Sequence, residues 1–290
     1  MPELPDLDVY VDALDTRVRG QVLHGVRVRN PFVLRTVDPP LDAVAGRTVT
    51  GVRRQAKRIV IELAGKLFLV VHLMIAGRLR WLETGRAAPA RITLALFEFA
   101  SGTLALTEAG TKRRASLHVI RGAAALAALD PGGLEVADVD AKTFAARLRA
   151  ENHTLKRALT DPRILSGIGN AYSDEILHRA KLSPIAHTAK LDDEAMARLY
   201  AAATGVLAEW TQRLRLEAGG RFPEKVTAFR PAMAVHGRFR QPCPVCGTPV
   251  QRIVYAENEC NYCPRCQTNG VVLADRALSR LLHKSFPREI

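Results

Sequence analysis

All five cysteines of this chain, Cys243, Cys246, Cys260, Cys263 and Cys266, fall in one C-terminal window, CPVCGTPVQRIVYAENECNYCPRC, and the residues before it contain none. A disulfide framework would be spread through the fold, so a local metal site is the better reading. Cys243 and Cys246 form one C-x2-C pair, and Cys263 and Cys266 form another. Two tight turns would present the four thiolates tetrahedrally, with a hairpin between them, as in a zinc ribbon. Cys260 and Cys263 share the same spacing, so the second pair is ambiguous. The Pro that follows the first cysteine in both CPVC and CPRC favours Cys263 and Cys266 and leaves Cys260 spare. Such a hairpin has little core of its own, and four thiolates leave no open position for catalysis. One structural Zn2+ is therefore expected.

The remainder of the 290 residues is long enough for two domains of ordinary size. After Pro5, apolar Leu7, Val11, Leu14 and Val18 recur at helical spacing, Asp6 and Asp8 suit the first turn, and Gly20 sits where a helix would end. From Val26 to Leu106 the pattern changes to short β-type runs: VRV, KRIVIEL, KLFLVVHL after an Ala64-Gly65 turn, and RITLALFEFASGTLALTE. This predicts a β-sandwich preceded by one helix. The stretch HVIRGAAALAALDPGGLEVADVD reads as a connection. Helical patterns follow, with Asp140 placed to cap a segment carrying Phe144 and Leu148, and others over roughly 152–160, 170–180 and 192–215. The fold class is thus α+β and multidomain.

Lys and Arg number 42 against 29 Asp and Glu, a net charge of +13. That excess favours a polyanionic partner, nucleic acid ahead of an anionic membrane surface. No stretch approaches the roughly 18 uninterrupted apolar residues of a membrane span, and the start lacks a basic-then-apolar secretory signal. A cytoplasmic protein with no membrane association is expected. Between two helical segments, Gly167-Ile168-Gly169-Asn170 would let backbone N–H groups approach a phosphate at a helix N-terminus, although GxG alone more often marks only a tight turn.

MPELPD at the start, Lys57 in RRQAKRIVIEL, HLMIAGRLR, TKRRAS, LSGIGNAYSDEIL, VHGR and the zinc ribbon occur together, in this order, from residue 2 to about 267. In that order and spacing the chain resembles the formamidopyrimidine-DNA glycosylase / endonuclease VIII family. The resemblance implies four segments: a catalytic β-sandwich domain over 1–122, a helix-two-turn-helix domain over 138–222, the zinc ribbon over 229–270 and a helical extension over 271–290. It implies a bifunctional enzyme of base-excision repair, acting as a monomer on damaged double-stranded DNA in the cytoplasm, at the nucleoid. The competing expectation is a damage-binding protein on the same scaffold with little or no catalysis.

Loss of Met1 would expose Pro2 as a secondary amine, and a terminal amine is far more often unprotonated at neutral pH than a lysine. By resemblance Pro2 is the nucleophile, Glu3 the acid beside it, and Lys57 the cation that holds a phosphate and assists elimination. Lys156, Gly169, Asn170, Tyr172 and Arg238 match positions that grip the DNA backbone, while Arg113 and Arg114 match the family's arginine pair. Four positions depart from the pattern. Asp6 stands where Glu is usual, and Ile75 replaces the void-filling Met. Ala115 replaces an aromatic wedge, and Ala can neither plug nor stack. Asn258 replaces an Arg that contacts phosphates, which removes one charge-assisted contact.

Overall fold

The computed structural model of the protein describes residues 1–224, 226–255 and 258–273. The expected helical extension over 271–290 lies almost wholly outside them. Two compact units are present: Met1–Pro131 with Trp210–Thr227, and Gly132–Glu209 with the described residues from Ala228 onward. The ribbon and the helical region up to Glu209 thus share one unit, and Trp210–Thr227 folds with the N-terminal residues.

The first unit runs through α1 (Leu4–Val18), β1 (Val22–Leu23), β2 (Gly25–Val28), β3 (Arg47–Gln55), β4 (Arg58–Leu63), β5 (Leu67–His72), β6 (Gly77–Leu82), β7 (Thr93–Phe99), β8 (Gly102–Glu108), β9 (Ser116–Arg121) and a short α2 (Ala123–Ala127). The strands form a five-stranded sheet, β1-β3-β4-β5-β9, and a four-stranded sheet, β2-β7-β8-β6. Every pairing is antiparallel. One core cluster takes Ile59, Ile61, Leu69 and Val71 from the first sheet and Phe97, Leu104 and Leu106 from the second. It also takes Leu7, Leu14 and Val18 from α1, the predicted apolar stripe. This packing holds the start of α1 in place, so the chain terminus is a fixed feature of the fold.

The second unit contains α3 (Ala141–Arg149), α4 (Leu155–Thr160), α5 (Asn170–Ala180) and most of α6 (Asp193–Ala218), then β10 (Gln251–Tyr255), β11 (Asn258–Tyr262) and α7 (Pro264–Thr268). Asp140 caps α3 as expected: its carboxylate accepts the Thr143 N–H at 2.7 Å, a contact worth about 1 kcal/mol. Phe144 and Leu148 on that helix are fully buried. Strands β10 and β11 pair antiparallel from Gln251↔Tyr262 to Tyr255↔Asn258, giving the ribbon's hairpin. Among the described residues no helix is long and apolar enough to cross a membrane.

Candidate functional site

In the first unit the N-terminus is built around the α1 cap. Glu3 is the N-cap, with Pro5 in the first turn, where its missing N–H costs nothing. Glu3 and Asp6 form a capping box, with the Glu3 N–H donating to Asp6 Oδ2 at 3.1 Å. The shorter Asp therefore suffices at this position. Glu3 and Asp6 are each only 3% exposed, and Pro2 is buried beside them. A carboxyl group next to the terminus is thus held out of bulk water, as a group that must deliver a proton to one bound atom requires.

The structure carries Met1 on Pro2, so the Met1 amine stands in for the secondary amine that its removal would expose. Burial pushes that amine below its ordinary value. The Glu3 and Asp6 carboxylates oppose the shift, while Arg78 and Lys57 reinforce it. The sign matters because a nucleophilic amine works only when unprotonated, and a lowered pKa extends its working range to lower pH. Lys57 lies in the β3–β4 turn, next to Ala56 at φ 50°.

Arg78 and His72 escaped the sequence reading, although both lie within the quoted HLMIAGRLR stretch, which was read only for its aliphatic residue. Arg78 donates from Nε to the Val226 carbonyl at 2.7 Å and from Nη1 to those of Ile75 and Gly77 at 3.1 and 2.7 Å. Burial, followed by the charges of Arg58, Lys57 and His118, pushes His72 down to about 4, so its ring is neutral at neutral pH. Ile75 sits on the turn before β6 and is 58% exposed. Gly77 closes that turn where a Cβ would lie 2.2 Å from the Leu73 carbonyl oxygen.

The loop after β8 is pinned differently. The buried Glu108 carboxylate accepts the N–H groups of Arg114 and Ala115 through Oε2, at 2.9 and 3.0 Å. Arg113 and Arg114 remain exposed, with Arg113 donating to the Arg91 carbonyl at 2.7 Å. Ala115, however, is 3% exposed and belongs to the core cluster. The wedge position is therefore turned inward as well as shortened.

In the second unit, Gly169 is the N-cap of α5 and Asn170 its first residue. Asn170 Nδ2 donates to the Glu259 carbonyl at 2.8 Å. Two residues expected to grip the backbone lie below the surface. Lys156 is 6% exposed, and its ammonium donates inward to Asn170 O and Ser173 Oγ, each at 2.8 Å, and to Asp174 Oδ1 at 2.5 Å. Tyr172 is 1% exposed and has no surface from which to reach a phosphate. Arg238 donates to the carbonyls of Pro231, Met233 and Pro242 at 3.2–3.3 Å, fastening its own loop. The Asn258 side chain lies outside the described residues.

The sulfurs of Cys243, Cys246, Cys263 and Cys266 all lie within 4.8 Å of one another. Tetrahedral zinc with bonds of about 2.3 Å needs sulfurs roughly 3.8 Å apart, and the 4.0 Å Cys243–Cys266 and 3.4 Å Cys246–Cys263 separations fit that ion. His178 Nε2 lies 3.3 Å from Cys243 Sγ, close enough to orient that sulfur, and Val235 and Val250 pack around the cluster. The protein therefore holds one structural zinc, and Cys260 is not among its ligands. Cys263→Ser should lose the metal and Cys260→Ser should keep one equivalent, as measured by atomic absorption on the purified chain. The reverse outcome would show that Cys260 is the ligand.

Three family models match in order: the formamidopyrimidine-DNA glycosylase N-terminal domain over residues 1–116, its H2TH domain over 129–215, and the zinc finger found in FPG and IleRS over 240–269. The chain is 34% identical over 266 residues to the formamidopyrimidine-DNA glycosylase of Moorella thermoacetica, covering 87% of this chain and 94% of that one. It is 34% identical over 285 residues to the Thermus thermophilus protein of the same name, covering 93% and 100%. A structure of the Lactococcus lactis enzyme with a Fapy-dG containing DNA superposes with a TM-score of 0.81 at 23% identity, covering 92% of this chain and 100% of that one.

Proposed function

The chain belongs to the formamidopyrimidine-DNA glycosylase family, and from that premise we propose that it excises oxidised bases from damaged double-stranded DNA and then cleaves the strand at the abasic site. The observation that carries this reading is the α1 N-terminus, where Pro2 and Glu3 are buried side by side and burial, reinforced by Arg78 and Lys57, lowers the terminal amine. The reading extends to a monomer acting on DNA at the nucleoid.

Once Met1 is removed, the Pro2 nitrogen lone pair forms a bond to the anomeric carbon and the base departs with the electron pair of the glycosidic bond. The bonded nitrogen gives up its proton to the departing base, Glu3 protonates the sugar ring oxygen, the ring opens, and the restored nitrogen lone pair completes an iminium. That cation acidifies the neighbouring sugar proton. Its removal expels the 3′ phosphate by β-elimination, and a second elimination expels the 5′ phosphate. Lys57 assists by holding a phosphate while charge develops on it. The target base must first leave the stack at a cost of a few kcal/mol, offset by contacts to the bent duplex. Those contacts come from the exposed Ile75, Arg113 and Arg114 of the first unit, and from the Gly169-Asn170 N-terminus and Arg238 of the second. The zinc supplies hairpin rigidity.

The test is borohydride reduction with DNA carrying an abasic site. The native protein is expected to form a covalent adduct that survives denaturation. A preparation that binds the DNA and yields no adduct would overturn the catalytic reading in favour of a damage-binding protein. The inward-turned Ala115 is the observation that favours that second reading, because the wedge position offers the duplex no ring.

A further inference from the structure

Gly169-Asn170 and Arg238 are far apart in sequence, and in the second unit the element they share is Asp174. Its side chain is fully buried on α5, and both carboxylate oxygens are used. Oδ1 accepts from Lys156 Nζ at 2.5 Å. Oδ2 accepts the Asn261 N–H at 3.1 Å and lies 2.8 Å from His236 Nδ1. The Cys260 thiol faces the same carboxylate, and burial, followed by the charge of Asp174, pushes it above the ordinary thiol range. Cys260, outside the four-sulfur cluster, is thus a buried neighbour of Asp174.

The adjacent Glu175 repeats the pattern, accepting the N–H groups of Ala234, Val235 and His236 at 2.7, 2.9 and 3.0 Å. One helical turn earlier, Asn170 donates to Glu259 on β11, and Asn261 Oδ1 accepts the Gly237 N–H at 2.7 Å. Contacts from α4, the 234–237 loop and β11 therefore converge on two adjacent buried carboxylates of α5, and Lys156, His236 and Asn261 meet at Asp174. A carboxylate this deep is tolerated only when donors surround it, and each donor it recruits is thereby fixed in place.

We propose that Asp174 is a positioning residue for DNA-backbone binding: it locks the α5 N-terminal turn, the ammonium beneath it, the loop leading to Arg238 and the zinc hairpin into one rigid body. This rests on the reading of the chain as a DNA glycosylase. Phosphates along a strand have fixed spacing, so groups that grip successive phosphates bind well only if their own spacing is fixed beforehand. Asp174→Asn keeps the shape but turns an amide NH2 either toward the Lys156 ammonium or toward the Asn261 and His236 donors, so one contact becomes repulsive.

The test uses the full chain and a duplex carrying a tetrahydrofuran abasic analogue, titrated across a salt series, with zinc content measured on the same samples. For Asp174→Asn the affinity is expected to fall about tenfold, with the salt slope smaller by about one unit. The single-turnover cleavage rate at saturating abasic-site DNA should stay within twofold, because the chemistry belongs to the first unit. His236→Phe keeps a ring against Phe229, with which His236 stacks at 5.6 Å, and removes one donor to Asp174; a smaller loss in the same direction is expected. This second variant decides the matter if Asp174→Asn loses its zinc. Unchanged affinity and salt slope in zinc-loaded variants would overturn the proposal, as would an equal fall in affinity and in saturating rate. Wild-type protein that binds no damaged duplex would instead remove the functional reading itself.

Discussion

Glu3→Gln is expected to lower base removal from an oxidised-base duplex by about a hundredfold to ten-thousandfold, the usual range for loss of a positioned acid. Cleavage of a pre-formed abasic site should persist. Glutamine preserves the shape of the side chain and its amide oxygen can still accept at the cap of α1, so the fold should be nearly as stable as wild type. What disappears is the exchangeable proton held beside the reacting sugar in a pocket where Glu3 is only 3% exposed, with little water to replace it. An abasic site already exists partly as the open-chain aldehyde, which condenses with an amine without protonation of a ring oxygen. Single-turnover assays on the two substrates separate the steps. Equal base removal by variant and wild type would refute the role assigned to Glu3.

Pro2→Gly is expected to reduce abasic-site cleavage and borohydride trapping together, by about a hundredfold or more, as loss of an oriented nucleophile does. Glycine at this position still leaves an amine after removal of Met1. It lacks the ring that fixes the nitrogen's direction, and it adds backbone freedom to a terminus that is buried in the native protein. Since trapping requires the covalent iminium and binding does not, affinity for a non-cleavable duplex should change little. Cleavage and trapping at wild-type levels would mean that another amine attacks, and Lys57 would then be the first to examine.

Local pattern made much of the fold legible. The stripe Leu7, Leu14, Val18 is buried where helical periodicity placed it, and the β-runs from Val26 to Leu106 became strands. The alanine run 123–127 did not read as α2 because alanines carry no apolar stripe against which a period can be measured. Strand order was beyond reach: β2 pairs with β7 and β5 with β9, and such pairings are decided by packing between distant segments. The cysteine spacing pointed to a zinc ribbon but fitted Cys260 as well, and the Pro shared by CPVC and CPRC singled out the four ligands that the structure gathers. Side-chain direction was harder. Lys156 is a cation on a helix whichever way its ammonium points, and its inward direction is set by Asp174, Ser173 and the Asn170 carbonyl. Asp6 looked like a loss of reach until its partner was seen to be the Glu3 N–H, one turn away.

The clamp of Glu108 on the Arg114 and Ala115 amides bears on the routes by which the surface of this loop could change. An aromatic ring introduced at position 115 alone would enter a filled core, at a cost of about 1–3 kcal/mol for overpacking, before it could touch any base. Releasing the clamp first frees the loop but leaves two cations on an unsupported tip. Each single step is unfavourable, and only the pair together could restore an outward-facing ring. Evolution or a designer seeking discrimination at the opposite base therefore faces a valley between two adjacent sequences. The exposed Ile75, whose replacement disturbs no core, offers a shallower path.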